Sequence, residues 1–146
     1  MDVVNNLLLW LHLMALALGG TAAFGIPVVG RKMPTAAAEM RPTLLSIMHG
    51  LSSVGRAGIG TLIVTGPLIV WLKYGGFGGV NVWFWVKMVL VVGLLAGVIY
   101  AGILLKRTMS GDTASAQQSP RVGMVNMALF LGIVFSAVFA FEVPAA

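Results

Sequence analysis

Apolar residues run in four blocks, at roughly residues 7–29, 47–72, 82–105 and 122–141, and polar residues collect between them. A helix rises 1.5 Å per residue, so about 20 apolar residues cross the ~30 Å of hydrocarbon in a bilayer. Each block reaches that length. Because no water reaches the hydrocarbon to satisfy backbone N–H and C=O groups, each block is predicted to be a helix that satisfies its own. The pattern predicts an all-α, integral membrane four-helix bundle, a single transmembrane domain over residues 1–146.

Composition supports that reading and removes alternatives. The chain is 59% hydrophobic and 9% charged, with a mean hydropathy of +1.00, too little polar surface for a soluble domain of this size. It starts Met1-Asp2 with no basic residue ahead of its first apolar run, unlike a cleavable signal peptide, so the first block is expected to be a retained helix. The chain has no cysteine, which excludes disulfides, thiolate metal sites, iron–sulfur clusters and covalently attached c-type haem. Any metal or cofactor is left to His, Met, carboxylate or backbone ligands. The net charge of +5 comes from basic residues at helix ends, where they set orientation and do not signal nucleic acid.

Arg31, Lys32 and Arg41 fall in the first connection, Lys106, Arg107 and Arg121 in the third, and only Lys73 in the second. By the positive-inside rule the first and third connections face the cytoplasm and both termini face outward across the cell's inner membrane. All four tryptophans, Trp10, Trp71, Trp83 and Trp85, then form an aromatic belt on the outer side. Measured from that belt, an outer polar layer holds His12, Lys87 and Glu142, and an inner one holds His49, Ser52, Ser53, Arg56, Arg121 and Asn126. The two histidines are expected on the order of 20 Å apart along the membrane normal, too far to ligate one iron within a protomer.

The glycine-rich connection from Lys73 to Asn81 predicts an antiparallel hairpin of the second and third helices. The stretch from Lys106 to Arg121, rich in Ser, Thr, Gln, Gly and Asp, predicts a flexible loop. Gly19 with Ala23, and Gly93 with Gly97, have the spacing of close helix contacts.

Ionisable side chains are costly in hydrocarbon unless they are paired or used, so candidate chemistry lies with His12, His49, Arg56 and Lys87. His12 shares a helix face with Leu8, Ala15, Leu16, Gly19 and Ala23. It reads either as a haem ligand or as a histidine bonded to a neighbouring carbonyl. His49 lines up with Leu45, Ser52, Arg56 and Gly60. That face suits a ligand with a propionate-binding arginine, or an interfacial histidine beside an arginine that snorkels to the headgroups. Lys87 either reaches the outer headgroups or holds a porphyrin propionate, with Glu142 neutralising it in an empty site. The nine methionines, Met14, Met48, Met88, Met124 and Met127 among them, include no pair spaced as a copper clamp and read as packing. No zinc-protease motif or complete phosphate-binding glycine loop is present.

The segment Leu9-Trp10-Leu11-His12 and the segment Trp83-Phe84-Trp85-Val86-Lys87 resemble the first-helix histidine and the W-x-x-x-K motif of small membrane haem proteins. These are the HemJ-type protoporphyrinogen oxidases and the related CopD-like membrane domains. The layout agrees over nearly the whole chain, although the stretch Gly19-Gly20-Thr21-Ala22-Ala23 lacks the family's late aromatic and basic residues. The resemblance implies a bundle that binds haem b, with His12 as ligand and Lys87 as the basic partner. Three functions follow as expectations: a b-type haem protein in haem handling or electron transfer, a protoporphyrinogen IX oxidase, or a copper-handling membrane protein. For the first, an iron with two imidazoles calls for a homodimer that pairs His12 with its copy, or His49 with its copy. The expected partners are membrane lipid, haem or porphyrin, and a second copy of the chain.

Overall fold

The computed structural model describes residues 2–140. It consists of α1 (Asp2–Lys32), α2 (Arg41–Tyr74), α3 (Val82–Met109) and α4 (Thr113–Ala140), with short 3₁₀ turns at Ala38–Met40 and Phe77–Gly79. No strand occurs among the described residues, and all four helices are long and apolar enough to cross a membrane. The chain is thus an all-α multi-pass membrane bundle. Its two ends differ in character. Exposed Trp10, Trp71, Trp83 and Trp85 ring one end, called here the tryptophan end, and Arg31, Lys32, Arg41, Lys106, Arg107 and Arg121 gather at the other, the basic end. Glu142, expected in the outer polar layer, lies outside the described residues.

The helices outrun the apolar blocks, most clearly in the third connection. Lys106 to Arg121 is not a flexible loop: α3 continues to Met109, α4 begins at Thr113, and a tight turn joins them. The Ser110 amide closes the end of α3 on the carbonyls of Lys106 and Arg107, and Gly111 takes φ +94°, open to glycine at little steric cost. Asp112 then caps α4. One carboxylate oxygen accepts from the amides of Ala114 (3.0 Å) and Ser115 (3.3 Å), and the other from the Ser115 hydroxyl at 2.7 Å. The polar composition that suggests a loop belongs to an exposed first stretch of helix with a capped start. In the first connection, α2 starts at Arg41 with Pro42 in its opening turn, where a missing N–H leaves no hydrogen bond unmade.

The close helix pairs also differ from the expected α2/α3 hairpin. α1 packs along α2 and α3 along α4, whereas α2 and α3 touch over little of their length despite their short connection. Small residues explain the first pair. A Cβ on Gly58 would stand 2.7 Å from the Ala15 carbonyl oxygen and 2.9 Å from the Gly19 amide nitrogen, and one on Gly55 would stand 2.6 Å from the Ala22 Cβ. Backbones this close give each helix dispersion contacts that lipid tails cannot match. The second pair is tied at both ends, by the Asp112 turn and by Asn81. The Asn81 side-chain oxygen caps the Phe84 amide, and its Nδ2 donates to the Phe139 carbonyl at 2.8 Å. Between those ties, Leu94 of α3 packs with Phe130 and Ile133 of α4. The hairpins meet where the Phe24 and Phe130 rings form an edge-on pair at 6.2 Å and where Gly123 makes room for Pro27.

Candidate functional site

His12 lies between α1 and α2 at the tryptophan end. Its Nδ1 is 2.8 Å from Oγ1 of Thr65, a residue only 2% exposed, and Gly66 leaves room beside the ring. The Thr65 hydroxyl donates its own proton to the Thr61 carbonyl at 2.8 Å, so toward His12 its oxygen can only accept. The network therefore assigns the proton to Nδ1 and leaves Nε2 as the nitrogen with the lone pair. The ring is thus hydrogen-bonded to a hydroxyl and not to a neighbouring carbonyl, and Nε2 takes no part in that bond. A buried N–H acceptor of this kind orients metal-binding histidines in general, because it selects the tautomer and locks the ring plane.

Lys87 of α3, half-buried, lies near enough for its charge to act on the His12 ring. The helices thus bring together two of the three residues of the outer layer. Its neighbour Met88 packs against the cluster of Val70, Phe84 and Ala140, and Met48 is buried at the opposite end, so both serve as apolar filling.

The inner layer does not form one site. His49 is exposed on α2, 16 residues from Thr65, or about 24 Å along the helix, so His12 and His49 do not share a metal. Arg56 is exposed and reaches along its own helix, where Nη1 donates to Ser52 Oγ at 2.9 Å, and the same nitrogen lies beside Gly102 of α3. It forms no ion pair among the described residues, so no buried anion meets it there. Ser53 and Arg121 are exposed, and only Ser52 and Asn126 are buried.

Two features carry no obvious motif. Thr65 is one; the available signal was a hydroxyl in an apolar block at the depth of His12. The other is a cavity lined by all four helices, about 780 Å³ including its opening. Its wall runs from Leu62, Leu94 and Phe130 at mid-depth to Pro27, Met48 and Ser119 toward the basic end, with Asn126 between them. His12 is not part of this wall.

Among the described residues no three His, Cys, Asp or Glu side chains gather where they could cage a bare metal ion. A haem iron asks less of the protein, because the porphyrin fills the equatorial positions and only axial ligands are needed. One oriented imidazole with a cation nearby for a propionate fits that smaller demand. Compared with known families, curated proteins and solved structures, the chain matches none. The likeness to HemJ-type and CopD-like proteins therefore rests on the two short motifs at the tryptophan end.

Proposed function

We propose that this chain is an integral membrane haem b-binding protein, acting in haem handling or electron transfer, in which His12 would hold the iron. The observation that carries the reading is the chain of hydrogen bonds from His12 Nδ1 to the Thr65 hydroxyl to the Thr61 carbonyl, which presents Nε2 to an incoming metal. When bound, haem supplies one-electron redox chemistry at iron. His12 would hold the iron through Nε2. Thr65 holds the ring in one tautomer and makes the imidazole a stronger donor. Lys87 offers a positive charge to a propionate, and its partial burial strengthens that attraction. His49 is too far along α2 to be the second ligand in the same protomer, so a second imidazole would come from a homodimer that pairs His12 with its copy; an iron held by His12 alone, or by His12 and a methionine, is the alternative. The six-to-one excess of basic residues at the basic end favours placing that end in the cytoplasm, with the haem side facing outward across the inner membrane.

Absorbance spectra of protein purified from haem-replete cells, oxidised and then reduced, test the reading. The expected result is a Soret band in wild type that is lost in His12→Ala and retained in His49→Ala. A colourless wild-type protein that takes up no added hemin overturns it. Sedimentation of the pigmented protein in detergent measures whether two copies share the haem.

A further inference from the structure

The cavity at mid-bundle is independent of the His12 site, and one of its lining residues is out of place. Asn126 is 7% exposed, and its Oδ1 is buried with no hydrogen-bond partner, alone in this among the described residues. The amide is wedged against Gly97, where any Cβ would collide with Oδ1. An unpartnered amide at this depth costs free energy that a leucine of similar size would not, so its presence calls for a use.

The rest of the wall indicates what meets it. No lining residue is charged, which disfavours an anionic or cationic head at this depth. Ser52 and Ser119 add hydroxyls on the basic side of Asn126, while Leu62, Leu94 and Phe130 are apolar on the other side. A second recess shares Met48, Leu105 and Ser119 with the cavity and reaches Gly30, Met33 and Thr108, so the space extends toward the basic end. A bare acyl chain would fill the volume and leave the amide unsatisfied. A molecule with a neutral polar head would fill it and accept from the amide nitrogen.

We infer that this cavity binds a neutral, lipid-soluble molecule whose carbonyl or hydroxyl head hydrogen-bonds to the Asn126 amide, within apolar walls supplied by all four helices. Quinones and isoprenoid alcohols share this chemistry. Nδ2 serves either, since a carbonyl oxygen and a hydroxyl oxygen both accept from it.

Binding of decylubiquinone, farnesol and dodecanoate to the full chain in lipid nanodiscs, read by mass spectrometry of the intact protein, tests this inference. Decylubiquinone or farnesol is expected to bind, and whichever binds identifies the source; dodecanoate is expected to bind more weakly. Asn126→Leu is expected to weaken binding about tenfold, the loss of roughly one neutral hydrogen bond, with a melting temperature equal to or above wild type. Ala101→Leu, which adds bulk to the cavity wall and keeps the Asn126 amide, is expected to reduce binding by at least as much. Neither change should alter the haem spectrum, so this test and the His12 test fail separately. The inference is overturned if neither neutral probe binds, if dodecanoate binds best, or if both variants bind like wild type.

Discussion

The two ends of this bundle use their polar groups differently. At the tryptophan end, His12, Thr65 and Thr61 form a chain in which each donor has an acceptor, and Lys87 stands close by. Toward the basic end, His49 is exposed, Arg56 turns back to Ser52 on its own helix, and Asn126 keeps an unpartnered oxygen beside a cavity. Both histidines sit in apolar helices and look equivalent as residue types. What separates them is a neighbour on the facing strip of helix: Thr65 holds one nitrogen of His12 and fixes its ring, while His49 lies exposed.

The sharpest way to break this contrast is at the histidines. His12→Ala is expected to abolish haem absorbance and His49→Ala to leave it unchanged; equal loss in both would end the distinction. Thr65→Val keeps the shape but removes the acceptor for Nδ1, and is expected to weaken haem affinity by roughly 10–100-fold in a hemin titration, with Thr65→Ser restoring most of it. A smaller effect is expected from the close helix contact that brings Thr65 to His12. Gly58→Ala drives a methyl into the α1 backbone and is expected to cost on the order of 1–3 kcal/mol in a detergent melt, whereas Gly60→Ala, with nothing within 4 Å, should be neutral or slightly stabilising.

The smallest effect belongs to Asp112 at the basic end. Hydrogen bonds from the Ser115 hydroxyl and amide, then from the Ala114 amide, hold its carboxyl below the usual carboxylate value. Its folded value is depressed, so its contribution is fully present above the ordinary value near ~3.9 and is lost as pH falls through the lower folded value. Hydrogen exchange at the Ala114 and Ser115 amides should therefore show constant protection from neutral pH down to mildly acid conditions, and early loss in Asp112→Ala.

Much of the architecture was legible along the chain. Four helices follow from apolar length alone, because hydrocarbon leaves the backbone few other ways to meet its own hydrogen bonds. His12 and Lys87 were legible as costly residues at one depth. The helix pairing was not. A short α2–α3 connection suggested a hairpin, yet the close contacts lie between α1 and α2, where Gly55 and Gly58 meet Ala22, Ala15 and Gly19, and small residues reveal their partners only once two helices are laid together. The polar stretch after Lys106 misled for a related reason. Ser and Asp favour loops and helix caps alike, and the turn was decided by where Asp112 found the amides of α4.

From residue order come the class of protein, the length and number of its spans and the depth of each ionisable group, since these depend on distance along single helices. Folding in three dimensions settled which nitrogen of His12 is held, which histidine has company, and that Asn126 faces an open space without a partner. Those properties belong to pairs of helices, and a one-dimensional pattern carries depth but not the rotation that turns one face toward another.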